Sequence, residues 1–550
     1  MKSSLFYLRI GFLGFFYQLS KSSTFAKPNR TSTRAFVIET SPSGKYTPIT
    51  EISDAEWEYL VKKASKAIPQ WEEYLNRVNL VDFDIESFLS RAKSDEEGPI
   101  LGQTLPSIAF AASGGGHRAM LYSASILAAF DGREAEAVAG GTGGILQLIS
   151  WCSGLSGGAW LLGSWALSDF PRLSEMQEVW KLSHKYRLNS FYMEKNLLSY
   201  FFSMRKKKNA GFPVSLIENG SSNAKAVLFS SIRETPAYRN QEMPFPILLA
   251  VSRSKIRATL TLNSAIYEFS PENFAIGHPG LNASIDMKYL GTYPSSGGYL
   301  PTVCTEGTSS NVLSTYDSAE GQSSLFGRIA KKFGFEKIYE GLVPNIFKGL
   351  GVPGINPDFE RQTLLLADGG FAGEKLPLFP LIRRNPDVII ASDATGGLKH
   401  AEGCKINPCL VKDNSNSISN QWYSDRSQWN LIVYDLHKAA GSFVQRVPVP
   451  YRPTFFGCDD SNVPLVIYMP NYYVLAKTDM KTTKSWFTAQ EIEGFFRNGR
   501  AIATQTASEM SRNQAWSSCL ACGLIERQRM RNEQPRTTQC SRCFEKYCAS

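Results

Sequence analysis

Three short strings in this 550-residue chain bring together a nucleophile, an acid and a row of backbone donors. The first is Gly154-Leu-Ser156-Gly-Gly158. It fits the G-x-S-x-G pattern, in which a sharp strand-to-helix turn exposes a serine hydroxyl and glycines tolerate the close backbone approach around it. A helix that starts there aims its first N–H groups at developing negative charge. The second string is Ser113-Gly114-Gly115-Gly116-His117-Arg118. Its consecutive backbone N–H groups suit the oxyanion of a tetrahedral intermediate, and the planar fork of Arg118 suits a substrate phosphate. The third is Asp368, within Ala367-Asp-Gly-Gly370. A carboxylate at a strand end can take the serine proton when desolvation and hydrogen bonding tune its basicity.

Each string alone has a plainer meaning: a glycine turn packing helix against strand, a loose turn, an aspartate capping a turn. The glycine loop is no nucleotide-phosphate loop, because the Gly-Lys-Ser/Thr ending is missing and its glycines are adjacent rather than spaced. A Ser-His-Asp esterase is the alternative in the same chemical class. Of the five histidines (His117, His184, His278, His400, His437), only His400 and His437 follow Asp368 in the order Ser, Asp, His, and neither lies in a strand-end glycine context. A non-catalytic lipid-binding protein is the alternative from another class.

These residues need a scaffold that ends strands in tight turns. The apolar runs 106–112, 146–152, 363–367 and 388–393 read as strands, the first three leading into the three strings. Residues 118–130 form helix, and 53–93 read as charged, amphipathic helix. Apolar strands alternating with helices predict an α/β fold with a mostly parallel central sheet flanked by helices. The stretch from about 170 to 350 has weaker periodicity and more Gly, Ser, Pro and aromatics, and reads as cap or insertion segments. Within it, the aromatic and basic run 191–208 suits either a loop that dips into lipid or a solvated charge run.

Composition narrows the setting. Hydrophobic content of 43% and charged content of 20% belong to a folded protein, and a net charge of +9 spread over this length is not the basic face of a nucleic-acid binder. Arg9 precedes the short apolar stretch Ile10–Tyr17, which reads as a signal peptide over 1–26, followed by a linker over 27–44 and a catalytic domain over 45–550. The C-terminus lacks a hydrophobic anchor tail, so a secreted or cell-surface protein without a membrane span is expected. Sequons at Asn29, Asn219 and Asn282 agree with glycosylation. Among ten cysteines, Cys519-x-x-Cys522 and Cys540-x-x-Cys543 match a zinc-ribbon spacing, yet an oxidising compartment favours disulfides over a metal.

Taken together, Ser113–Met120, Gly154–Gly158 and Ala367–Gly370 resemble the catalytic core of the fungal phospholipase B and lysophospholipase family and, more distantly, the cytosolic phospholipase A2 group. Tyr267–Pro271, Leu376–Pro380, Phe455–Cys458 and the terminal cysteines extend the likeness from about residue 45 to the end. The resemblance implies a cytosolic phospholipase A2-like catalytic domain and hydrolysis of acyl esters of phospholipids and lysophospholipids at a membrane or micelle surface. It further implies a Ser156–Asp368 dyad without catalytic histidine, oxyanion donors at Gly115 and Gly116, phosphate contact by Arg118, and no metal or other cofactor. One position departs: Gly158 stands where these relatives usually carry serine.

Overall fold

The computed structural model describes residues 52–95, 98–180, 182–183, 229–253, 264–278, 281–290, 294–295, 298–299, 341–356, 358–369, 376–394, 452–458, 461–472, 474–482, 484, 486–506 and 515–549. The signal and linker segments, Asn29, Asn219, the 191–208 run, His184, His400 and His437 lie outside them.

Continuous apolar runs become strands buried on both faces. These are β1 (Ile108–Ala112), β2 (Ile149–Leu155) and β3 (Phe245–Ser252), every residue of which is buried. Three antiparallel strands follow: β4 (Ile266–Phe269), β5 (Asn273–His278) and β6 (Leu281–Asp286). Later come β7 (Gly341–Pro344), β8 (Thr363–Ala367), β9 (Val388–Asp393), β10 (Thr454–Phe456) and β11 (Leu465–Pro470). All eleven belong to one sheet, ordered β10-β11-β9-β1-β2-β3-β4-β5-β6, with β7 and β8 off this path. The five central strands β11, β9, β1, β2 and β3 run parallel, as the α/β reading requires.

Side chains cap the first two helices. Ser53 caps α1 (Asp54–Val78) and Asp84 caps α2 (Ile85–Ser94), so the predicted helical stretch is real but broken at Asn79, which turns left-handed with φ 53°. Then come α3 (Gly116–Ala128), α4 (Gly157–Leu167), α5 (Phe379–Arg384), α6 (Ala489–Thr504), α7 (Trp516–Arg531) and α8 (Thr538–Tyr547). Helix α3 packs against both α4 and α6, and α7 meets α1, β9 and β11.

Two expectations are corrected. The 170–350 stretch is not cap alone, because it supplies β3, a strand of the parallel centre, and the β4–β6 meander. Pro246 disguises β3 in the sequence; it is tolerated because it sits at the strand's start, where the β4 pairing has not yet begun. Strand β8 carries Asp368 but is antiparallel to β3, not a member of the parallel set.

The terminal cysteines pair as Cys519–Cys543 and Cys522–Cys540, stapling α7 to α8, while Cys458–Cys548 ties the last turn to the end of β10. These sulfurs are therefore spent on disulfides rather than on zinc. At the opposite end of the sheet from the glycine turns, Asp387 receives Ser107 N–H at 2.8 Å and both Nη groups of Arg531, at 2.5 and 2.7 Å. This carboxylate joins β1, β9 and α7. Asp387→Ala leaves a buried N–H and a guanidinium without their acceptor, and should lower stability by roughly 2–3 kcal/mol. Chemical denaturation checks this: the midpoint should fall while the slope with denaturant stays unchanged.

Candidate active site

Strand β2 runs further than its apolar run suggests, through Ser153-Gly154-Leu155, because Gly154 must reach the rung of Ala112 on β1. It ends in Ser156, held at φ 52°, ψ −118°. A non-glycine residue in that region stores backbone strain, and the turn places the hydroxyl at the carboxyl edge of the sheet. Ser156 is the N-cap residue of α4, yet its side chain makes no capping bond.

The position of Asp368 follows from register. On one edge of β3, Leu155 pairs with Leu249 in parallel, and Ala367 pairs with Val251 in antiparallel sense. The opposite edge of β3 is taken by β4 at those rungs. Strands β2 and β8 therefore meet end to end along one edge, separated only by the rung of Ala250. At a rise of about 3.3 Å per residue, their last paired residues are about 7 Å apart. Ser156 and Asp368 are the next residue of each strand, and both leave the sheet at this junction. A Cβ placed on Gly369 would lie 2.7 Å from Cδ1 of Leu155, which confirms how tightly the two ends abut. Asp368 is 7% exposed. Beneath the junction, Leu155, Leu249, Val251, Ile266 and Ala367 form a small apolar cluster of their own.

The glycine loop completes the pocket. A Cβ on Gly114 would sit 3.3 Å from that of Ser156, so the loop leaves β1 directly beside the serine. Gly115 and Gly116 have φ of 137° and 64°, values that only glycine adopts without strain, and Gly116 opens α3. Ser113 fixes the base of the loop. Its N–H donates to Ser392 at 3.1 Å and its hydroxyl accepts the Ala394 N–H at 2.8 Å. Two helix N-termini, of α3 and α4, thus converge on Ser156, and their positive dipole ends favour an anion there.

Arg118 is 3% exposed. Its Nε donates to the Ala394 carbonyl at 2.9 Å and its Nη1 to the Met480 carbonyl at 2.7 Å. Burial lowers its pKa to about 10, opposed by Asp393 and Asp479, so it remains charged. The His117 ring lies tilted against Trp160 at 4.9 Å and against Phe487 at 6.4 Å. Burial pushes it down to about 4, so it is neutral and apolar in use near neutrality. His278 is buried in β5, a strand remote in the sheet order from β1 and β2. Asn282 lies exposed on β6, with the sequon serine Ser284 buried. Among the described residues, no group of three or more His, Cys, Asp or Glu is arranged to hold a metal ion.

Sequence reasoning missed how Gly158 works. A Cβ there would collide with the carbonyl oxygen of Ala112 and lie 2.7 Å from its carbon, so α4 rests directly on the end of β1. The glycine is a packing requirement of this chain, not merely an absent hydroxyl.

This architecture is that of the cytosolic phospholipase A2 catalytic domain. Human GIVD cytosolic phospholipase A2 superposes with a TM-score of 0.57 at 15% identity, covering 90% of this chain and 69% of that one. The family model for the lysophospholipase catalytic domain matches residues 108–350 and 352–550, and the chain belongs to that family. Lysophospholipase 1 of Candida albicans is 29% identical, over 93% of this chain and 90% of its own length. A probable lysophospholipase 5 of Schizosaccharomyces pombe is 30% identical, over 90% and 84% respectively.

Two predictions follow from the packing. Gly158→Ser should cost about 1–3 kcal/mol through overpacking and reduce turnover as the first turn of α4 shifts, which thermal unfolding and ester hydrolysis would measure together. For His117, the unfolded chain takes up a proton near pH 6.5, whereas the folded protein resists it down to about 4. Stability should therefore fall as pH drops through that window, by up to about 3 kcal/mol. His117→Phe should flatten the melting temperature against pH between those limits.

Proposed function

We propose that the protein is a lysophospholipase and phospholipase B that hydrolyses fatty-acyl esters of glycerophospholipids through a Ser156–Asp368 dyad. The observation that carries this reading is the end-to-end meeting of β2 and β8 on β3, which brings a strained serine and a buried aspartate to one junction beside two helix N-termini.

Ser156 Oγ attacks the acyl carbonyl carbon, and its proton passes to the Asp368 carboxylate. The carbonyl oxygen becomes an oxyanion held by the N–H groups of Gly115 and Gly116. When the ester C–O bond breaks, the glycerol oxygen leaves with the proton held by Asp368, and the acyl group stays on Ser156. Water then attacks the acyl-enzyme, giving a proton to Asp368. Collapse returns the proton to Ser156 Oγ and frees the fatty acid. No step needs a histidine, and the neutral His117 serves as an apolar wall.

The substrate is met at a membrane or micelle surface, which the family's lipid chemistry supports. The three disulfides among the described residues and the exposed Asn282 sequon support passage through the secretory pathway. No helix among the described residues is long and apolar enough to cross a membrane.

Fatty-acid release from lysophosphatidylcholine tests the dyad. Ser156→Ala and Asp368→Asn should each lower it by at least about 10³-fold. A fluorophosphonate probe should label wild type and spare Ser156→Ala. Full labelling at another serine, with undiminished release from the mutant, would remove Ser156 from the mechanism.

A further inference from the structure

The resemblance assigns Arg118 to the substrate's phosphate; its surroundings point elsewhere. The guanidinium is enclosed, and two of its nitrogens are committed to carbonyls from different parts of the chain: Ala394 after β9, and Met480 in the segment 474–482. Its third nitrogen, Nη2, lies against the backbone of Gly115, where a Cβ would be only 2.6 Å away. The next donor, Gly116, is covered from the same segment: a Cβ there would collide with the carbonyl of Thr482. The two glycines are thus held between a fixed cation and a fixed strand of chain.

That segment is itself rigidly seated. Asn498, wholly buried on α6, accepts the N–H groups of Val474 and Leu475 at 2.9 Å each and of Ala476 at 3.3 Å. Its amide donates to the Tyr472 carbonyl at 2.8 Å and to Thr478 Oγ1 at 3.1 Å. Just before it, Asn471 N–H donates to the Asp393 carbonyl at 2.8 Å. A continuous chain of contacts therefore runs from Asn498 through Met480 to Arg118 and Gly115.

We infer that Arg118 is a positioning residue that holds the Gly115–Gly116 donors in place, through carbonyl contacts secured by Asn498, and that it does not recognise the substrate's phosphate. The inference rests on the hydrolase reading of the site and specifies how its oxyanion donors are kept in register. Lysine cannot substitute, because a single ammonium cannot span two divergent carbonyls while supporting a third position.

The test compares two esters on the full chain: lysophosphatidylcholine, and 4-nitrophenyl butyrate, which carries no phosphate. Wild-type release of fatty acid from the first decides the hydrolase reading independently. Given that activity, Arg118→Lys should lower kcat by roughly 10²-fold on both esters alike, with KM changed only a few-fold, as for loss of an oxyanion donor. A loss confined to lysophosphatidylcholine, with 4-nitrophenyl butyrate turned over at the wild-type rate, overturns the inference. Should Arg118→Lys fail to fold, Asn498→Ala takes its place. A cooperatively melting Asn498→Ala with reduced kcat on both esters supports the inference, and one with unaltered kcat on both overturns it.

Discussion

One edge of one strand organises the protein. Strand β3 accepts β2 along its lower half and β8 along its upper half, in opposite directions, and a single rung separates them. Two strand ends that abut this way cannot both continue, so each must turn out of the sheet at the junction. The turns are where chemistry-bearing side chains can leave a densely packed interior. Ser156 accepts a strained backbone to make its turn, and Asp368 is carried to the same place from more than two hundred residues downstream. The apolar cluster beneath keeps the junction dry and the two ends fixed.

Close approach is the second constraint. Helix α4 rests on the end of β1 at Gly158, and the glycine loop passes beside Ser156 at Gly114. Any side chain at these crossings pushes apart the parts that must converge. The dense glycine content of the two strings is thus explained by steric closeness as much as by turn geometry, and the same closeness lets two helix dipoles act on one point.

Much of this was legible in the sequence because the relevant signals are local. Apolar runs marked β1, β2, β8 and β9, and for the first three the glycine strings that follow located the candidate residues. What was not legible is non-local. Nothing in Thr363–Ala367 tells that it runs antiparallel to its neighbour, because a buried strand reads the same in either direction. Strand β3 was hidden by Pro246 within a region of weak periodicity. The enclosure of Arg118 depends on the Met480 carbonyl, a backbone group that carries no side-chain signature. The terminal cysteines allowed either metal or disulfide by spacing, and only the antiparallel placement of α7 and α8 decides how they pair.

The order of the strands also governs how the chain can be made. The middle strand β1 needs β9 as a neighbour, and contacts at their base join residues 280 positions apart. An emerging chain therefore holds β1 and β2 ready long before the ribosome delivers β9, and the Cys458–Cys548 cross-link waits on residues 90 positions apart. Such high contact order slows folding and leaves apolar strands uncovered in nascent chains. The apolar face of β1 thus stays open to wrong partners until chain made much later closes over it.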